Sequence, residues 1–239
     1  MSTPLILAHR GARQVQPENT LAAFETAVAM GADGVELDVH RSADGELVVD
    51  HDGRHGELGA LTDQAFDRIR AAAPSIPTLR ETLRALEGAV VNVEIKNLPG
   101  DPGWDPTNEV ADHVVAYLDA AIDADARSRL IISSFNLETI DRVHALAPDL
   151  ATGFLTLATF DPFDALVLAH QRGHVALHPH GPALADERAT RVCADAHARG
   201  MTVNVWTINE PDEMQRLAHA GVDAIVTDVP DVAVSALRR

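Results

Sequence analysis

Eight short apolar runs, each trailed by a longer stretch, several with clear helical period, and polar residues at the ends of the early runs predict an α/β chain folded as a (β/α)8 TIM barrel. The runs are LILAH, GVELDV, VVNVEI, RLIIS, LATGFL, HVALH, TVNVW and AIVTD, rich in Val, Ile and Leu and of strand length. Helical period is clearest from Asn19 to Met30, Asn108 to Ala121, Leu137 to Leu146, Ala185 to Ala198 and Asp212 to Ala220, and Gly31, Gly200 and Gly221 close three of these stretches. An open doubly wound sheet is the competing architecture. The second βα connection carries a short insertion: from Ala43 to Pro77 it adds a DGE turn, the extended piece ELVVDHD and the glycine-rich DGRHGELGAL. Long βα loops are where barrels place function. No linker, repeat or low-complexity stretch intervenes, so residues 1–239 are expected to form a single domain.

Composition narrows the partners. An apolar content of 46% over 239 residues supports a sizeable core, while a formal charge of -17 with 4% aromatics argues against nucleic acid. The start MSTPLILAHRG has no basic segment, and no apolar stretch approaches the ~20 residues of a spanning helix, so no transmembrane segment and a cytoplasmic location are expected. Cys193, the sole cysteine, sits at helical spacing in ATRVCADAHARG and is expected to be packed rather than reactive.

The second and third runs carry charge in an unusual place. In an extended chain Glu36 and Asp38 point to one side, and Val35, Leu37 and Val39 to the other. The same alternation in VVNVEIKN separates Val91, Val93 and Ile95 from Asn92, Glu94 and Lys96. Neighbouring strands of a barrel would therefore aim Glu36, Asp38 and Glu94 at one mouth. Three carboxylates with only Arg10 and Lys96 nearby would repel one another or recruit a cation. All-oxygen ligands favour one hard divalent metal ion, Mg²⁺, Ca²⁺ or Mn²⁺, over Zn²⁺. The competing reading is a pair of ion pairs, Arg10 with Glu36 and Lys96 with Glu94.

His9 ends the first run, and His51 lies where the extra extended piece would return over the mouth. Imidazole, with an ordinary pKa of ~6.5, serves as acid or base near neutrality. The Arg10 fork and the Lys96 point charge both suit phosphate oxygens. Together these groups describe a site for an anionic ester, most naturally a phosphate diester.

The motifs HRG at 9–11, PENT at 17–20, ELD at 36–38, HD at 51–52, EIK at 94–96, SF at 134–135 and VWTIN at 205–209 resemble, in order along the whole chain, those of the glycerophosphodiester phosphodiesterases. The resemblance implies a TIM barrel that hydrolyses glycerophosphodiesters, a small-molecule substrate, to glycerol 3-phosphate and an alcohol. It implies metal ligation by Glu36, Asp38 and Glu94, an acid/base pair of His9 and His51, and phosphate binding by Arg10 and Lys96. GRHGELGAL stands where the family often has an L-x-R-T-T segment, which leaves the headgroup open. A lysophospholipase D-like activity on lipid diesters is the related alternative, set against the short insertion and the lack of an exposed apolar segment. A catalytically silent glycerophosphodiester-binding barrel is the alternative from another class.

Six further expectations follow from local pattern. Asn19 caps the first helix, and Glu18 orients Arg10. Trp206 shares parity with Asn204 and walls the substrate side of the mouth. HPHG at 178–181 places His178 toward substrate rather than on a second metal. TDVP at 227–230 starts the last helix with Asp228 as cap, and Asn209 is a loop residue.

Overall fold

The structure, a computed structural model, describes residues 3–238; Met1, Ser2 and Arg239, at the ends of the expected 1–239 domain, lie outside the described residues. The eight apolar runs become parallel strands: Leu5–His9, Gly34–Arg41, Val90–Ile95, Leu130–Ser134, Ala151–Thr156, Ala176–Pro179, Thr202–Val205 and Ala224–Thr227, numbered one to eight here. Each pairs with its neighbour in this order, and Leu7 of strand one sits in register with both Val226 of strand eight and Gly34 of strand two. That double pairing closes the barrel and excludes the open sheet.

The pleat then sorts side chains. Outward residues such as Val35, Leu37, Val93, Ile132, Leu177 and Ile225 are fully buried against helix residues including Phe24, Leu118, Ile140, Leu166 and Leu217. Each such burial stabilises by ~1.5–3 kcal/mol, so the seam between sheet and helices is where the chain gains most of its folding energy. Inside the barrel, Leu7, Ala224 and Val226 form a small apolar cluster, while Asn92 bonds Ser133 and Asn204 bonds His178 in a buried polar layer.

Helix boundaries follow the sequence pattern closely, with local exceptions. The helices Glu109–Ala121 and Leu137–Leu146 lie where periodicity puts them, and Pro211–Ala220 starts one residue early because Pro211 tolerates the first turn. The stretch expected from Ala185 begins only at Arg188, since Gly181–Leu184 forms a 3-10 turn first. Asn19 does not cap the first helix, Leu21–Ala29: Thr20 does, accepting from Ala23 N, and Asn19 turns left-handed (φ 55). Its amide is thereby freed to donate to Asp38 Oδ2 at 2.9 Å. Asp228 is likewise not the cap of Pro230–Leu237, a place taken by Val229.

The insertion is a folded unit rather than a loose loop. Leu47–Val49 pairs antiparallel to the end of strand two, Val49 opposite Val39, and Val48, Leu61, Ile69, Ala73 and Ile76 make a small core of their own. Two helices follow, Phe66–Ala72 and Leu79–Ala85, the second held by a Thr78–Glu81 capping box. Asp50 N donates to the Asp38 carbonyl at 3.1 Å, which turns the chain back over the barrel mouth.

Candidate active site

At the C-terminal mouth a cavity of about 180 Å³ is lined by His9, Arg10, Glu36, His51, Glu94, Lys96 and Trp206, with Asn92, Phe135, Leu155, His178 and Val226 completing the wall. Asp38, 1% exposed, lies beside the cavity rather than on its surface. The structure therefore brings together all eight residues singled out from sequence.

Register explains the carboxylates. Asp38 is level with Glu94, and Glu36 with both His9 and Asn92, so strands one, two and three deliver their polar ends at one height. One oxygen each from Glu36, Asp38 and Glu94 lies within 4.8 Å of the others, and all three residues are buried. Lys96 Nζ stands 3.0 Å from Glu94 and 3.7 Å from Asp38. Arg10 reaches Glu18 at 2.9 Å and Asp38 at 3.3 Å, so Glu18 does orient it, but its guanidinium pairs with Asp38 and not with Glu36. Only the Lys96–Glu94 half of the competing ion-pair scheme forms.

Charge in this cluster does not balance. Burial, then the repulsion of Asp38 and Glu94, pushes Glu36 well above the usual carboxylate range. Burial and Asp38 push Glu94 up to about 7 against the pull of Lys96. Asp38 is also pushed up by burial, but Lys96 and Arg10 outweigh that and hold it below its ordinary value. Three buried oxygen ligands with a surplus of negative charge are a donor set that a hard cation fits.

Both histidines have a carboxylate on Nδ1. His9 Nδ1 is 2.7 Å from Asp228 Oδ1, and His51 Nδ1 is 2.7 Å from Asp52 Oδ1. A carboxylate at Nδ1 favours the tautomer that leaves Nε2 unprotonated, and His9 Nε2 lies 4.0 Å from Glu36. Asp228 is itself held by Asn209 Nδ2 at 2.8 Å and by Arg13 at 3.4 Å. Burial raises its carboxyl, but the bonds from His9 and Asn209 bring it down to about 2. Asp228, Asn209 and Arg13 are neighbours of the His9 ring that local pattern missed. Parity could have found Asp228, since it follows inward-facing Val226 by two at the end of strand eight, beside strand one.

Elsewhere the wall is less polar. Trp206 donates from Nε1 to the His178 carbonyl at 2.9 Å and meets Phe135 edge to face at 5.4 Å. His178 accepts from Asn204 at 3.0 Å, and burial drives it down to about 3, so it faces the cavity as a neutral ring. It joins no metal-binding cluster among the described residues. Two glycines are required here by space. At Gly153 a Cβ would fall 2.4 Å from His178 Nε2, and at Gly11 of the HRG motif (φ 82) it would fall 2.6 Å from the Ala23 backbone.

The sequence model of the Glycerophosphoryl diester phosphodiesterase family matches residues 9–232, from the first of these histidines to the last helix. The chain belongs to that family. A glycerophosphodiester phosphodiesterase of Caldanaerobacter subterraneus subsp. tengcongensis is 31% identical, over 98% of both chains. Among solved structures, a glycerophosphodiester phosphodiesterase from Thermotoga maritima superposes with a TM-score of 0.82 at 27% identity, covering 98% of this chain and 99% of its own. A phosphodiesterase from Oleispira antarctica, in complex with the product sn-glycerol-3-phosphate, gives 0.83 at 27% identity, covering 99% and 98%. Family membership makes this barrel a phosphodiesterase, and among the described residues no helix is long and apolar enough to cross a membrane.

Proposed function

We propose that this phosphodiesterase hydrolyses glycerophosphodiesters to glycerol 3-phosphate and an alcohol, with His9 and His51 as the acid/base pair and one divalent ion held by Glu36, Asp38 and Glu94. The observation that carries this reading is the meeting of three buried carboxylates, two carboxylate-held imidazoles and two cations around one cavity of about 180 Å³. The size suits a glycerol phosphate rather than a polymer.

When bound, the ion supplies Lewis-acid neutralisation of the phosphate and charge balance for its three ligands. The residues of the chain do the rest. Arg10 and Lys96, both drawn toward the cavity by Asp38, hold the phosphate oxygens. One imidazole takes the proton of the attacking hydroxyl at Nε2, and the other, entering as the imidazolium with both ring nitrogens protonated, gives its Nε2 proton to the departing alkoxide as the phosphorus–oxygen bond breaks. Asp228 keeps the His9 ring turned so that Nε2 faces the cavity. Phe135, Leu155 and Trp206 line the side away from the carboxylates and bound the organic part of the substrate.

A lipid diester as substrate gains support from one feature that sequence reading denied. Leu98, Trp104, Leu157 and Phe160 are exposed on the loops after strands three and five, at the mouth end of the barrel. A panel of glycerophosphocholine, other glycerophosphodiesters and lysophosphatidylcholine, scored by glycerol 3-phosphate and choline release across Mg²⁺, Ca²⁺ and Mn²⁺, tests both readings. Glycerol 3-phosphate from the water-soluble diesters supports the main one; choline from the lysolipid alone supports the lipid reading. Binding without any product would point to the silent barrel instead. Residues 1–239 are proposed to act as one domain in the cytoplasm, which limited proteolysis and cell fractionation would check.

A further inference from the structure

His51 is held less firmly than its partner. Its one side-chain hydrogen bond among the described residues goes to Asp52, whose own side chain is 79% exposed. Exposed pairs of this kind contribute ~0–1 kcal/mol, too little to fix an imidazole over a cavity. Its position has to come from the backbone beneath it.

His40 lies there. It follows Asp38 by two positions on strand two, so it shares the inward face of Glu36 and Asp38, and it is 2% exposed. Its Nε2 stands 3.3 Å from the His51 carbonyl oxygen, which can only accept, so Nε2–H donates. The turn wraps the same ring. Asp50 N donates to the Asp38 carbonyl at 3.1 Å, and Gly53 N donates to Asp50 Oδ1 at 2.8 Å. A Cβ on Gly53 (φ 61) would come within 2.6 Å of the ring Cε1 and 3.0 Å of both ring nitrogens. Bare backbone at 53 and an imidazole at 40 therefore fill one space.

We propose that His40 is a positioning residue for His51: its ring, seated under the bare backbone of Gly53, and its hydrogen bond to the His51 carbonyl set the height and angle at which His51 meets the substrate. This rests on the reading of His51 as one of the acid/base pair. No local motif marks His40, because the contact joins a strand end to a turn that the insertion folds back.

The test compares His40→Gln, which keeps a donor near the position of Nε2, with His40→Leu, which keeps bulk and removes the donor, each alone and His40→Leu also in a His51→Ala background. Glycerol 3-phosphate release is measured at saturating glycerophosphocholine, with thermal midpoints to count folded protein. Displacement of a catalytic group by about 1 Å can cost up to ~10²-fold, so His40→Leu should lower kcat by ~10-fold or more with KM within ~2-fold. His40→Gln should recover most of that, and His40→Leu should have no further effect once His51 is gone. A folded His40→Leu enzyme with wild-type kcat, or an equal fall in the His51→Ala background, overturns the proposal. Should His40→Leu not fold, Gly53→Ala presses on the same ring from the turn and must lower kcat; an unchanged kcat overturns the proposal equally. A wild-type rate for His51→Ala would instead remove the acid/base reading on which it rests.

Discussion

His9 and Asp228, 219 positions apart in the chain, meet at 2.7 Å between Nδ1 and Oδ1. Barrel closure makes the meeting, because strand one pairs with strand eight as well as strand two. One imidazole of the proposed acid/base pair is thus oriented by a residue that directly follows the last strand in the chain.

Replacing Asp228 by Asn keeps the shape and removes the charge that selects the His9 tautomer. Acid/base assistance contributes ~10²–10⁴-fold, and losing its orientation should lower kcat by ~10-fold or more. Steady-state kinetics on glycerophosphocholine would show it. An unchanged kcat would detach Asp228 from the chemistry.

Asp228 also links folding to acid. Its carboxyl sits at about 2 in the folded chain, below its ordinary value, so it contributes stability present above pH ~4 and lost as pH falls through about 2. Wild type should therefore lose stability across that window more steeply than Asp228→Asn. Denaturant midpoints recorded from pH 5 to pH 2 provide the comparison, and parallel curves would contradict the linkage.

These residues show what could be read from the chain alone and what could not. Alternation places Glu36, Asp38, Glu94 and Lys96 correctly because parity along a strand is a local property. Local pattern assigns Asn19 and Asp228 to helix starts, since a short polar residue before an apolar run looks the same whether it caps or serves the site. Asn19 instead adopts φ 55 and bonds Asp38 on neighbouring strand two, and Asp228 bonds His9 across the seam of strands one and eight that only barrel closure creates. The insertion was visible as an irregularity, but its small core around Val48 and Ile69 and its seat on His40 depend on tertiary packing.

Gly11 has no room for a side chain. A Cβ there would lie 2.6 Å from the Ala23 carbonyl carbon at a left-handed φ of 82, so Gly11→Ala should cost ~1–3 kcal/mol or more and displace the adjoining Arg10. A lower thermal midpoint together with a raised KM is the expected pair of effects. A midpoint equal to wild type would show that the helix Leu21–Ala29 can retreat.

Cys193 is buried between helix and sheet, and burial followed by the Asp223 charge pushes its thiol up to about 12. A thiol-reactive dye at pH 8 should leave the native protein untouched and modify one thiol after unfolding in guanidinium. Rapid labelling of the native protein would mean that this helix opens locally.

The carboxylate cluster should respond to metal even without substrate. A divalent ion that binds only the folded chain stabilises it by ~2.7 kcal/mol at a hundredfold excess over Kd. The thermal midpoint of chelated protein should rise on adding Mg²⁺, Ca²⁺ or Mn²⁺, and the rise should vanish in Glu36→Gln/Glu94→Gln. An equal rise in that variant would place the ion elsewhere.

Glycerol 3-phosphate release by wild type, His9→Ala and His51→Ala, after chelation and with each divalent ion restored, tests the central claim most directly. Metal-restored turnover in wild type, with each variant slower by ~10²-fold or more, is the predicted result. Turnover by both variants close to wild type would contradict it.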